Sequence, residues 1–239
     1  MNKVVVSNIV KSFNTGTYEF EALKDVSFEI KEGETTVIGG ENGSGKSVLM
    51  SIISGLEEPD SGKVSCYGRV GLVFQEAETQ ILGETIEEDI TYGPKNLGWK
   101  ASKIEKSVKE AMEKVGLYDK KDYPARFLSG GEKRRLAVAC MLSMELPIII
   151  FDEPYANLDY MGVKQVNSLI KTLQDEGKTV IILTHEIEKC LGLAKRFIVL
   201  FRGNKVFDGK PEEGLKEDLE KWTIRNPFNS YKTLEDLVW

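Results

Sequence analysis

Gly40, Glu41, Asn42, Gly43, Ser44, Gly45, Lys46 and Ser47 form the run G-E-N-G-S-G-K-S, and these residue types suit phosphate chemistry. In the pattern G-x-x-x-x-G-K-[ST], glycines let successive backbone N–H groups curl around a polyphosphate. The lysine brings positive charge to the β- and γ-phosphates, and the final hydroxyl can ligate Mg²⁺. The flanks fit this reading. Thr35–Ile38 is β-branched and reads as a buried strand, while Val48–Ile53 reads as a short helix bounded by Ser54 and Gly55. Strand, loop and helix in that order aim a helix N-terminus at an anion.

A second set of candidates lies at the ends of apolar strands. Ile148–Phe151 runs into the adjacent carboxylates Asp152 and Glu153, and the carboxyl edge of a parallel sheet is where open α/β folds bind ligands. Side chains alternate along a strand, so the two acids are expected on opposite faces with different tasks. Asp152 would hold Mg²⁺ through water, and Glu153 would face the terminal phosphate and polarise an attacking water. His185 follows the apolar strand Val180–Thr184, and Gln75 ends Val70–Phe74. Alone, each of these two carries little weight, because a single His is more often structural than catalytic.

Ser129-Gly130-Gly131-Glu132 opens a helical stretch that runs to Met144. Ser129 and Glu132 have the spacing of a capping box. A cap does not need two consecutive glycines, however, and Gly-Gly leaves backbone N–H groups open to an anion at the positive helix end. The chain therefore carries two phosphate-type nests. Either there are two ligands, or each chain lends its second nest to a partner's ligand.

The elements that must hold these groups follow from composition and period. The 239 residues are 41% hydrophobic and 29% charged, enough for a substantial core. The net charge of −6 argues against nucleic acid as a partner. Cys66, Cys140 and Cys190 are far apart in apolar segments and read as buried, reduced thiols, as expected inside the cell. One His and no C-x-x-C leave a zinc centre without ligands. Met1–Ser7 enters strand-like sequence without the pattern of a signal peptide, and no apolar run approaches the roughly 18 residues of a spanning helix. Strands are expected at Val4–Val10, Val26–Ile30, Thr35–Ile38, Lys63–Cys66 and Val70–Phe74. Residues 76–145 turn helical, with apolar residues at helical spacing through Ser102–Val115 and again from Glu132 to Met144. Beyond them, Ile148–Phe151, Val163–Asp175, Thr179–Leu183, Glu186–Leu191 and Phe197–Leu200 alternate strand and helix, the signature of a parallel sheet with helices on its faces. The tail from Pro211 is mixed, with Trp222, Phe228, Tyr231 and Trp239 expected at the surface.

Taken as a set, Gly40–Ser47, Gln75, Leu128–Glu132, Ile148–Glu153, Asn157-Leu158-Asp159 and His185 resemble, in order and spacing, an ABC-transporter ATPase subunit over roughly residues 3–209. The resemblance implies an α/β P-loop NTPase fold with an antiparallel β lobe, a mostly parallel core sheet and an inserted helical subdomain. A single domain is expected: a core from 1–75 and 146–209, a helical part at 76–145, and an extension at 210–239. The resemblance also implies ATP and Mg²⁺, and two chains, identical or paralogous, that sandwich two ATP molecules head to tail. Phe13 would stack on adenine, Gln75 would help hold Mg²⁺ with Ser47 and Asp152, and Glu153, Gln75 and His185 would serve catalysis. Ser129, Gly130, Gly131 and Glu132 would complete the partner's site, and Asp159 would cross the interface.

Val70–Gln75, Gln80-Ile81-Leu82 and Thr85–Pro94 further resemble the energy-coupling factor importers of vitamins and of cobalt or nickel ions. That similarity implies an integral membrane subunit docked near Gln75–Tyr92 and a peripheral position on the cytoplasmic face of the membrane. Other ABC importers or exporters, and soluble ABC ATPases, are the alternatives. Departures from the family pattern are Glu132 for Gln, Phe13 for Tyr, Val48 for Thr, Tyr155 and Asn157 for Thr and Gly, and a short connection from Ser65 to Val70. None removes a catalytic group. At its position Glu132 can turn back and cap its own helix.

Overall fold

The computed structural model describes residues 1–14, 16 and 19–228, so Tyr231 and Trp239 lie outside the described part. From the N-terminus, β1 (Asn2–Asn14) and β2 (Glu19–Lys31) form a long antiparallel pair. β3 (Thr35–Gly39) then runs into the glycine loop and α1 (Lys46–Ile53) leaves it. β4 (Ser61–Cys66) returns to the free edge of β1, giving a three-stranded sheet in the order β2-β1-β4. The short connection after Ser65 limits this lobe to a bend before β5 (Val70–Val73).

Three helices follow, α2 (Ile86–Asn96), α3 (Ala101–Lys114) and α4 (Gly130–Ser143). The chain then resumes alternation with β6 (Ile148–Asp152), α5 (Tyr160–Asp175), β7 (Thr179–Thr184), β8 (Arg196–Phe201) and β9 (Asn204–Gly209), ending on the single turn α6 (Pro211–Gly214). The main sheet has the order β5-β6-β7-β3-β8-β9 and is parallel except for β9. β3 and β7 are buried along their whole length, as expected of parallel strands covered on both faces.

The side-chain alternation of these strands builds two layers. Ile149, Phe151, Val180 and Ile182 join one core cluster with Leu136, Val138, Leu169 and Leu173 from α4 and α5. Ile148, Ile150, Ile181 and Leu183 point the other way, to Leu49, Ile52 and Ile53 of α1 and to Val6, Phe28 and Ile30 of the antiparallel lobe. One sheet thus carries the lobe and α1 on one face and the helical segment on the other. The loops at its carboxyl edge come together between the two layers.

Three local expectations differ. Glu186–Leu191 is not one helix but two separate 3-10 turns, Ile187–Lys189 and Leu191–Leu193, broken at Cys190 with φ −142°. Trp222 is buried, its ring 6.3 Å from that of Phe207, because the chain after α6 folds back onto β9. The three cysteines are free, but only Cys190 is buried, with Cys66 and Cys140 partly exposed.

Candidate functional site

Backbone conformation builds the loop between β3 and α1. Gly45, at φ +104°, is the N-cap of α1, and a Cβ there would lie 2.6 Å from the Ala22 carbonyl oxygen. Gly40 is packed even more tightly, with a Cβ falling 2.3 Å from the Leu200 carbonyl oxygen. Larger residues at either place would push the loop off the strands beneath it. No acidic residue occupies the first turn of α1, so the helix dipole is left for an anion.

Lys46 is 5% exposed, and its ammonium donates to the carbonyls of Gly40 at 2.8 Å and Glu41 at 3.0 Å. It also lies 3.4 Å from Glu153 Oε1, an atom with no hydrogen-bond partner of its own. Ser44 Oγ in the same loop is likewise buried without a partner. Glu153 Oε2 sits 3.0 Å from His185 Nδ1 and accepts the His185 backbone N–H at 3.3 Å. Loop, strand β6 and strand β7 are thus linked through one carboxylate.

The two acids do not point apart. Asp152 Oδ1 lies 3.5 Å from Ser47 Oγ while Glu153 reaches Lys46, so both face the loop. The strand ends at Asp152, and Glu153 adopts a left-handed φ of +44°, which cancels the alternation expected of continuous β structure. Burial raises the Asp152 carboxyl above its ordinary range, and the neighbouring Glu153 adds to the shift. Two hard oxygen donors, Ser47 and Asp152, suit a small divalent cation that takes its other ligands from phosphate and water. Among the described residues, no group of three or more His, Cys, Asp or Glu could hold a metal by itself.

A cavity of about 210 Å³ opens here, lined among others by Phe20, Asn42, Lys46, Ser47, Gln75 and Glu153. Gln75 is exposed at its rim. Phe13 lies outside this lining, 39% exposed on β1, where it pairs in register with Phe20.

Ser129, Gly130, Gly131 and Glu132 line no part of that cavity. Ser129 is the N-cap of α4, and its backbone N–H donates to Glu132 Oε2 at 2.9 Å in a complete capping box. Glu132 Oε1 takes a 2.7 Å bond from Lys120, and these contacts, Lys120 first, hold its carboxyl at about 2. The carboxylate is turned into the cap, and Ser129 and Gly130 stay exposed, with nothing within 4 Å of a Cβ placed on Gly130. Asp159 caps α5, accepting the Gly162 N–H at 2.7 Å. Asn157 takes φ +58°, a conformation asparagine tolerates well. Tyr155 is fully buried, with its hydroxyl 2.7 Å from Asn167 Oδ1.

Some organising residues are not obvious from the chain. Arg134 is 5% exposed and donates to the Gln75 carbonyl at 3.1 Å, tying α4 to the segment after β5. Gln80 accepts from the Phe74 N–H and donates to the Leu72 carbonyl, both at 2.9 Å. Asp89 Oδ1 accepts the N–H groups of Leu82 at 2.6 Å and Gly83 at 2.8 Å. An acid in the first turn of a helix ordinarily reads as a solvated charge, so only the fold shows its use.

Known proteins resemble the chain in sequence and in fold. The family model described as ABC transporter matches residues 23–156. An energy-coupling factor transporter ATP-binding protein, EcfA2 of Clostridium perfringens, is 41% identical over 234 residues, covering 90% of this chain and 82% of its own. The structure of CbiO1 from C. perfringens, described as part of the ABC transporter complex CbiONQ, superposes with a TM-score of 0.82 at 32% identity, over 95% of this chain and 96% of that one. The ATP-binding cassette MJ0796, a dimer bound to ADP and Pi, superposes with a TM-score of 0.77 at 29% identity, over 87% of this chain and 98% of that one. Against two archaeal relatives, from Methanospirillum hungatei and Methanosarcina mazei, the chain spans about half their length, 57% and 55%.

Proposed function

The chain belongs to the ABC transporter family, and from that premise we propose that it is the ATP-hydrolysing, energy-coupling subunit of an importer of the energy-coupling factor type. The observation that carries the reading is the contact chain Lys46–Glu153–His185 beside Ser47 and Asp152, of which Lys46, Ser47 and Glu153 line one cavity over a helix N-terminus. The likeness to EcfA2 and CbiO1 supports the importer type. The cargo is a vitamin or a transition-metal ion, recognised by another subunit.

In this reading the Gly40–Ser47 backbone and Lys46 bind the β- and γ-phosphates. Ser47, Asp152 and Gln75 hold Mg²⁺, which screens phosphate charge when bound. Glu153 orients the attacking water, held in place by His185, and His185 senses the terminal phosphate. Positioning and electrostatics dominate, as phosphoryl transfer permits. Phe13 stacks on adenine. The nest Ser129–Gly131, held open by the inward turn of Glu132, completes the ATP site of a second cassette, and Asp159 lies at that interface. The two cassettes work on an integral membrane subunit docked near Gln75–Tyr92. Among the described residues no helix is long and apolar enough to cross a membrane, so in this reading the partner supplies the spans.

The test is Glu153→Gln. It keeps shape and burial while removing the charge that polarises water. Hydrolysis should fall about 10²- to 10⁴-fold, the usual contribution of a positioned base, with ATP binding retained. Turnover near the wild-type rate would refute the role of Glu153.

A further inference from the structure

Thr223 lies well outside every motif discussed above, yet it touches the phosphate loop. Its hydroxyl is 2.9 Å from Oε2 of Glu41, 182 positions earlier in the chain. The same oxygen is 2.7 Å from the Trp222 carbonyl. A hydroxyl has one proton to give, and a carboxylate is the stronger acceptor of the two.

The backbone at Thr223 is unusual. Its φ is +57°, in the left-handed region that a β-branched residue rarely enters. Such conformations persist only where the surroundings over-determine them. Here they do, because the residues on either side are anchored. Trp222 is 8% exposed and packs on Phe207, and Ile224 is 2% exposed in the main core. Glycine or asparagine would take this turn at less strain. What threonine adds is a hydroxyl aimed at Glu41.

Glu41 has two ends. Its side chain meets Thr223, while its backbone carbonyl accepts the Lys46 ammonium at 3.0 Å and the Ser44 N–H at 3.1 Å. The strap Leu219–Ile224 is therefore only one residue removed from the cation and the loop turn that would receive phosphate. We propose that Thr223 is a positioning residue for the nucleotide site: through Glu41 it fixes the phosphate loop in its binding conformation. This rests on the reading of Gly40–Ser47 as a nucleotide loop. The bond is exposed and worth little to global stability, so its effect belongs in ligand affinity.

The experiment measures ATP affinity by calorimetry and steady-state hydrolysis on the full chain. Thr223→Val removes the hydroxyl and keeps the β-branch, so backbone strain is unchanged. The expected result is a rise of about 2- to 10-fold in Kd and KM for ATP, the equivalent of one hydrogen bond, with kcat and thermal midpoint unchanged. Thr223→Ser restores wild-type values, and Thr223→Val adds nothing in a Glu41→Ala background. Affinity equal to wild type in Thr223→Val, or a further loss on top of Glu41→Ala, overturns the proposal. Lys46→Ala is the control for the site itself. If wild type binds no ATP, or Lys46→Ala binds it equally well, the nucleotide reading fails and this inference falls with it. If Lys46→Ala alone loses ATP, only the role of Thr223 is wrong.

Discussion

Asp152 and Glu153 are neighbours in sequence and face the same loop, but they are supported differently. Glu153 has Lys46 on one oxygen and His185 on the other. Asp152 has the long 3.5 Å approach of Ser47 Oγ and the charge of Lys46, but burial, with Glu153 adding to it, still lifts its carboxyl above the ordinary range. For a carboxyl raised on folding, the contribution to stability is complete below the unfolded value near 3.9 and is lost as pH rises through the higher folded value. The ionised form of Asp152 is therefore the one the fold disfavours. Asp152→Asn should raise the thermal midpoint of the ligand-free chain at pH 7 and leave it nearly unchanged near pH 3. The same variant should lose the Mg²⁺-dependent part of ATP binding. Scanning calorimetry across this pH range checks the first effect, and calorimetric titration with and without Mg²⁺ the second. A midpoint that falls at pH 7 would show that Asp152 is stabilising instead. In the proposed function, a cation held by Ser47 and Asp152 would offset that cost.

The helix α4 shows how a motif can be both a cap and something more. Glu132 closes the capping box with Ser129 and binds Lys120, and its carboxyl is held at about 2. For a carboxyl lowered on folding the sign is reversed. Its contribution is present above the unfolded value near 4.3 and disappears as pH falls through about 2. Glu132→Gln should therefore unfold more easily than wild type at pH 5 to 7, with the difference closing as the pH drops toward 2. Urea unfolding midpoints over that range measure it, and a gap constant with pH would mean that Lys120 does not act through charge. This cap was readable in the chain, since Ser-x-x-Glu is a local pattern. So were β3, α1 and β6–β7, whose apolar runs and glycine breaks need only near neighbours to be recognised. The joint facing of Asp152 and Glu153 was not, because it depends on a left-handed residue just past a strand end. Nor were the burial of Trp222 or the bonds of Arg134 and Thr223, which join residues far apart in sequence. Periodicity carries burial well, but it does not carry long-range polar pairing.

At the scale of the whole molecule two features lie apart from the phosphate cavity: the nest at Ser129–Gly131, which lines no part of it, and an apolar hollow beside the segment after β5. In the proposed function a second cassette takes up the first. In Glu153→Gln, with hydrolysis stopped, ATP should hold two chains together, so a monomer in size-exclusion chromatography should shift to a dimer with ATP and back when ADP replaces it. The second is a cavity of about 740 Å³ lined in part by Ile53, Leu56, Cys66, Phe74, Met141 and Met144. It lies where α1, the short lobe and α4 meet, and Gln80 reaches from its wall to the backbone of Leu72 and Phe74 at the end of β5. A helix of the proposed membrane subunit seated there would press on the segment that carries Gln75, whose carbonyl is tied through Arg134 to α4, the helix that opens with this chain's own nest Ser129–Gly131. Movement at the membrane and closure over ATP would then share one mechanical path. Leu56 is 63% exposed at the rim and makes no contact in the phosphate cavity. If the proposed membrane subunit seats in this hollow, Leu56→Arg should abolish co-purification with it, because burying an unpaired charge in an apolar seat is costly. Hydrolysis by the isolated cassette should stay at wild-type level. An intact complex carrying Leu56→Arg would place the docking surface elsewhere, and loss of hydrolysis in the isolated chain would mean that the hollow belongs to the catalytic core and not to a partner.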